Sequence, residues 1–193
     1  MPKLQKLRGR KNSVRIIGGE WRRRLLPVPD LPDLRPTPDR VRETLFNLLG
    51  QDLTGSRCLD LFAGSGVLGF EAASRGAREV VMVERDSAAF RVLQETRSTL
   101  AATQVETVCA DALAFLAADA RHYDVVFLDP PYRLDLLPRV LPLLSARLAA
   151  AARVFVESDH MPELPDGFEV LRQTRAGQVV GVLLKWRHHG DTQ

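Results

Sequence analysis

The residues most able to do chemistry sit where an apolar run ends: Asp124-Val125-Val126-Phe127-Leu128 leads into Asp129-Pro130-Pro131-Tyr132. Four consecutive apolar residues read as a strand buried on both faces. Proline fixes φ, lacks an N–H and restricts the residue before it, so the chain leaves such a strand stiffly. A carboxylate (Asp129), a bare carbonyl (Pro130) and a flat ring (Tyr132) are then held at the strand's carboxyl end, the rim where open α/β sheets bind ligands. Two acceptors beside a stacking platform suit a planar molecule carrying an NH2 group, such as a nucleobase.

A second constellation points to a nucleotide. Gly64-Ser65-Gly66-Val67-Leu68-Gly69 satisfies G-x-G-x-x-G, and Glu84 closes the next apolar run. Alone, this is a dinucleotide fingerprint, and a dehydrogenase has to be considered. Asp60 opposes it, because an acid four residues before the first glycine would repel a pyrophosphate. No hydride-transfer site follows either. S-adenosylmethionine, with a sulfonium and an ammonium and no phosphate, fits better: Asp60 attracts its positive end, and the Phe62-Ala63-Gly64 and Gly66 turn allows close backbone approach. Glu84 can accept from both ribose hydroxyls. Asp111 can accept from the adenine amine with the Ala112 N–H nearby, or can simply cap the helix that Ala112 opens.

Alternating strands and helices must position these groups. Strands are expected over 58–61, 79–84, 104–109, 124–128 and 153–157. Helices are expected over 67–75, 87–100, 112–119 and 136–150, followed by a β-hairpin over 168–174 and 178–186 around Gly177. This is an α/β, Rossmann-like, seven-stranded and mostly parallel sheet with an antiparallel C-terminal hairpin. The strands bearing Asp60 and Asp129 become neighbours at its switch point, so the glycine turn and the Asp129–Tyr132 loop open onto one crevice.

Ahead of the sheet, residues 14–26 read as a strand, a Gly18-Gly19 turn and a returning strand that carries Trp21-Arg22-Arg23-Arg24. An aromatic among guanidinium groups can hold phosphates while stacking a base, although Trp21 could equally anchor the hairpin. A proline-rich linker then meets a helix ending near Leu49, with Thr37 as N-cap and Pro38 as first helical residue. The chain of 193 residues carries a formal charge of +3, unevenly placed. Residues 1–42 hold 12 Lys/Arg against four acids, +8, and the remainder holds 15 against 20, −5. A basic arm on an acidic body favours a polyanion such as nucleic acid, or else is merely a solvated terminus. No apolar run suits a membrane span or a signal peptide. Cys58 and Cys109 read as thiols in a reducing, cytoplasmic setting, and the four histidines show no metal-ligand spacing.

Together these residues resemble the RsmD family. The resemblance rests on Arg15-Ile16-Ile17-Gly18-Gly19, Leu34-Arg35-Pro36-Thr37 followed by Asp39-Arg40-Val41-Arg42-Glu43-Thr44-Leu45-Phe46-Asn47, Asp60 through Gly69 with Glu71-Ala72, and Asp129-Pro130-Pro131-Tyr132. It covers about Val14 to Trp186. It implies a class I methyltransferase fold and S-adenosylmethionine as donor to guanine N2 in 16S ribosomal RNA, within a small-subunit particle. The residues it implies are Asp129, Pro130 and Tyr132 for catalysis, and Asp60, Phe62, Ala63, Gly64, Gly66, Glu84, Asp111, Ala112, Thr37 and Arg35 for the cofactor. Arg15, Trp21, Arg22, Arg23, Arg24 and Arg40 would meet RNA. The expected organisation is a basic arm over 1–13, a hairpin and capping helix over 14–50, and a methyltransferase domain over 51–193, acting as a monomer without metal. Arg23 departs from the family pattern, which has glycine there. The competing readings are a DNA amino-methyltransferase, for which the chain has little room for a target-recognition domain, and a non-catalytic RNA-binding protein.

Overall fold

A computed structural model describes residues 13–30 and 37–187. Of the basic arm expected over 1–13, residues 1–12 lie outside the described residues, as does Arg35. The chain begins with a small antiparallel pair, β1 (Ser13–Arg15) and β2 (Leu25–Pro27), with Val14 opposite Leu26. The returning strand is shorter than expected. Residues 20–23 form a turn instead, in which the Glu20 N–H donates to the Ser74 carbonyl (2.8 Å) and the Arg23 N–H to the Ile16 carbonyl (2.8 Å). The cause is Trp21, only 3% exposed, which is drawn into the core and bends the backbone inward. Gly19 permits the approach: it has φ 74°, and a Cβ there would collide with the Ser74 carbonyl.

Helix α1 (Asp39–Leu49) follows, then β3 (Arg57–Asp60), α2 (Val67–Ser74), β4 (Glu79–Glu84), α3 (Ser87–Leu100), β5 (Val105–Cys109), α4 (Ala112–Ala118), β6 (Tyr123–Leu128), α5 (Leu137–Leu144), β7 (Leu148–Ser158), β8 (Phe168–Ala176) and β9 (Val179–Trp186). The main sheet has the order β5-β4-β3-β6-β7-β9-β8. β3 to β7 run parallel, and β9 and β8 add an antiparallel finish. This is the expected seven-stranded layout, with β3 and β6 adjacent where the winding reverses.

Two apolar layers flank the sheet. Phe127 and Phe155 pack with Trp21, Leu45, Phe46, Phe70 and Leu93 on the face covered by the hairpin, α1, α2 and α3. Val126, Leu128, Val154 and Val156 pack with Phe115, Leu116, Val140 and Leu141 on the face covered by α4 and α5. Each fully buried side chain of this size contributes about 1.5–3 kcal/mol.

Two boundaries differ from expectation. The helix expected to reach Ala150 stops at Leu144, passes through a 3₁₀ turn (Ser145–Arg147), and gives way to β7 at Leu148. Alanine favours helix, but Tyr123 pairs with Leu148 and Val125 with Arg153, so the alanines at 149–152 are taken into an irregular first part of β7 with Ala151 at φ 59°. At α1 the N-cap is Pro38, with no side-chain cap bond. Thr37 therefore does not cap the helix; it is buried and turned to another task described below.

Candidate active site

Asp60 lies opposite Phe127, and Phe127 opposite Phe155, in neighbouring parallel strands. Side chains alternate along a strand, so Asp129 and Glu157, each two residues farther on, return to the face that bears Asp60. Three acids thus step across the carboxyl rim of β3, β6 and β7, on the side covered by the N-terminal extension.

Asp60 is 2% exposed, and its Oδ2 accepts one N–H, from Gly69 at 3.0 Å. Burial pushes its pKa up to about 7; the Gly69 bond opposes the rise and Glu84 adds to it. The turn after it is held by the Ala63 N–H on the Val83 carbonyl (2.9 Å) and the Gly66 N–H on the Ala63 carbonyl (2.6 Å). Gly66 stands left-handed at φ 75° at the start of α2, and a Cβ there would strike Leu93 and Phe70. Its missing side chain leaves room for close packing against α2 and α3. Glu84 clamps the same turn from β4, accepting the Gly64 N–H at 2.8 Å and the Asp86 N–H at 2.7 Å. Asp111 does cap α4, using Oδ1 for the Leu113 and Ala114 N–H groups (2.9 and 3.2 Å). Phe62, Ala63, Gly64, Glu84, Asp111 and Ala112 therefore border one rim of the sheet, beside Asp60.

Asp129 follows β6 directly, and burial raises its pKa well above the ordinary carboxylate range, with Glu157 and then Asp60 adding to the rise. Pro130 is buried behind it. Tyr132 opens a short 3₁₀ turn and keeps 38% of its surface exposed. Its hydroxyl donates to Glu157 Oε1 at 3.2 Å. Burial, then the neighbouring acids Glu157 and Asp129, keep that hydroxyl protonated.

Glu157 was not among the sequence candidates. It is 4% exposed, and its Oε2 accepts no well-formed hydrogen bond among the described residues. Burial raises its pKa, while the nearby Thr37 and Tyr132 hydroxyls oppose the rise. Thr37, an expected cofactor residue, thus faces the acid row from the start of α1. A signal was present: Val154-Phe155-Val156-Glu157 repeats the pattern of an apolar run ending in an acid that marks Asp129.

Of the candidate RNA contacts, Arg15, Arg22, Arg23, Arg24 and Arg40 are exposed. Arg15, 60% exposed, lies 3.9 Å from Asp39. Trp21 departs from the expected base contact: its ring is buried in the core and its backbone N–H donates to Ser74 Oγ at 2.9 Å, so it anchors the hairpin and offers no face to a base. Arg23 has φ 70°, the left-handed conformation that suits the glycine of the family pattern. A recess of about 540 Å³ lined by Gly19, Ser74, Arg78 and Gln104 lies at the opposite, amino ends of the strands, away from the acids. Among the described residues no three His, Cys, Asp or Glu side chains converge to hold a metal, and no helix is long and apolar enough to cross a membrane.

The strand order, the glycine turn clamped by an acid from the next strand and the acid-Pro-Pro-Tyr exit define a Rossmann-like methyltransferase fold. An RNA methyltransferase from Salinibacter ruber, solved with S-adenosyl-L-homocysteine, shares that fold at TM-score 0.63 and 20% identity, over 82% of this chain and 98% of that one. The Escherichia coli yhhF structure is much closer, at TM-score 0.85 and 43% identity over 92% of this chain and 100% of that one. The chain belongs to the family described as Conserved hypothetical protein 95, which matches residues 14–185. It is 44% identical over 93% of each chain to Ribosomal RNA small subunit methyltransferase D of Escherichia coli K12. It is 42% identical to the protein of that name in Haemophilus influenzae, over 88% of this chain and 92% of the relative.

Proposed function

We propose that this protein transfers a methyl group from S-adenosylmethionine to the N2 amine of a guanine in 16S ribosomal RNA, within an assembled small-subunit particle. The names of the relatives support the ribosomal substrate. The observation that carries the chemistry is the row of acids at the carboxyl rim, buried Asp60 and Glu157 with half-buried Asp129 between them, beside the exposed ring of Tyr132.

The residues at the glycine turn fit the donor. Asp60 is a buried carboxyl satisfied by one N–H, and a positive ligand relieves the desolvation that raises its pKa. A pyrophosphate would deepen the repulsion, which weighs against a dinucleotide. The residues that would hold S-adenosylmethionine are Asp60 at its cationic end, Phe62, Ala63, Gly64 and Gly66 along the turn, and Glu84 at the ribose. Asp111 and the Ala112 N–H would serve the adenine, with Thr37 and Arg35 closing the cover. Bound there, it supplies an electrophilic methyl group.

The rest falls to the protein's own groups. The guanine N2 lone pair is delocalised into the ring, so the amine is a poor nucleophile. The Asp129 carboxylate and the Pro130 carbonyl accept its two N–H bonds, which favours a pyramidal nitrogen and stabilises the positive charge that develops on it. Methylation makes that nitrogen acidic, and its proton passes to Asp129 or to water. Tyr132 supports the base once it has left its stack. Arg15, Arg22, Arg23, Arg24 and Arg40 neutralise phosphates, so affinity for the particle falls steeply with salt. A monomer in the cytoplasm suffices for all of this.

Asp129→Ala tests the reading. Methyl transfer to small-subunit particles should fall about 100-fold or more, while the Kd for S-adenosylmethionine stays within a few-fold. An unchanged rate removes Asp129 from the chemistry. Methylation of duplex DNA in place of particles would support the DNA amino-methyltransferase.

A further inference from the structure

Glu157 is a buried acid that the proposed chemistry leaves unused. It sits on β7, and β6 lies between β7 and β3. Asp129 is therefore flanked by Asp60 on the side of the glycine turn and by Glu157 on the side away from it. The glycine turn, Glu84 and Asp60 form the donor side, so Glu157 belongs to the acceptor side. Its Oε1 is fixed by the Tyr132 hydroxyl, from the ring assigned to carry the base. Its Oε2 is buried and without a well-formed bond among the described residues, with the Thr37 hydroxyl near the carboxylate, in a side chain only 4% exposed. Buried acceptors are nearly always satisfied, and one that is not points to an absent donor.

Resting on the reading of the site as an amine methyltransferase, we propose that Glu157 selects guanine by accepting its N1–H at Oε2 while Asp129 accepts N2–H. Guanine is the base whose pairing edge sets a ring N–H beside its exocyclic amine. Adenine sets an acceptor, N1, beside N6, and cytosine sets N3 beside N4. Two neighbouring carboxylates match two neighbouring donors. Against adenine or cytosine, Glu157 would face a lone pair, and a buried polar group left unpaired rejects the wrong ligand strongly. Asp129 acts on the reacting amine common to all three bases; Glu157 distinguishes among them. The Tyr132 hydroxyl is a positioning group that aims the carboxylate.

The test compares small-subunit particles carrying guanine or 2-aminopurine at the target position. Both bases present a 2-amine, but 2-aminopurine has an acceptor at N1. The wild-type enzyme should methylate guanine about 10- to 100-fold better in kcat/KM than 2-aminopurine, the span of one hydrogen bond to a charged group. Glu157→Gln offers an amide N–H to the N1 lone pair and should narrow or invert that ratio, with S-adenosylmethionine affinity unchanged within twofold. Glu157→Ala should lower the guanine rate with no gain on 2-aminopurine. A Glu157→Gln enzyme that keeps the wild-type ratio overturns the assignment of Glu157 and leaves the methyltransferase reading standing. Wild-type enzyme inactive on guanine particles overturns that reading itself, and the assignment with it.

Discussion

The buried acid Glu71 and the three acids at the carboxyl rim of the sheet are treated in opposite ways. Glu71 of α2 is fully buried and surrounded by donors: the Ile17 and Gly18 N–H groups at 2.8 Å each, Arg42 Nη1 at 3.4 Å and Arg75 Nε at 2.9 Å. Arg42, itself fully buried, also reaches Asp39 at 2.6 Å and the Thr37 carbonyl at 3.1 Å. One carboxylate thereby ties the hairpin, α1 and α2 together. At the rim of the sheet, Asp60, Asp129 and Glu157 stand near one another, and burial raises the pKa of all three. The first acid belongs to the fold. The other three oppose it, and in the proposed function a cationic donor and an amine relieve them.

The largest effect is expected at Glu71. Glu71→Ala leaves two buried guanidinium groups without their carboxylate and should cost about 3–5 kcal/mol of stability, read by urea unfolding. A loss under about 1 kcal/mol would mean that the network holds nothing together. Asp60 sharpens the other side. Its folded pKa of about 7 exceeds the ordinary 3.8, so the folded state holds a proton that the unfolded state has lost. Stability from this group is therefore present below about pH 4 and declines as pH rises to about 7. At ~1.4 kcal/mol per pH unit this amounts to at most about 4 kcal/mol. The difference in stability between Asp60→Asn and the wild-type apoprotein should widen in favour of the variant across that window, while the variant binds S-adenosylmethionine more weakly. Parallel pH profiles would contradict the buried-acid picture. The smallest effect is expected at Arg23, held at φ 70°. Arg23→Gly should raise stability by about 1 kcal/mol and lower the salt slope of particle binding by about one. No gain in stability would mean that the left-handed turn is unstrained.

Much of the sheet was legible because strands buried on both faces are continuous apolar runs and the helices between them keep their own period. The glycine turn and the Asp129–Tyr132 exit were legible because glycine and proline act locally. What escaped depends on contacts between distant residues. Trp21 and its arginines look like a polar returning strand until Ser74 of α2 is set against them. The alanines after Arg147 favour helix, and only pairing with β6 makes them strand. Arg42, Glu71 and Arg75 look like ordinary solvent-facing charges, though a glutamate inside the apolar run Val67–Ser74 was a clue to burial. Glu157 gains its meaning only from the register that sets β7 beside β6 and from the Tyr132 hydroxyl that reaches it.

In the proposed function Asp129 directs methylation of a guanine amine in ribosomal RNA. Mass-spectrometric mapping of small-subunit RNA from cells lacking this protein, complemented with wild type or with Asp129→Ala, tests it most directly. An N2-methylguanine should vanish in the deletion, return with wild type and stay absent with the variant. Its persistence in the deletion, or its return with Asp129→Ala, would contradict the account.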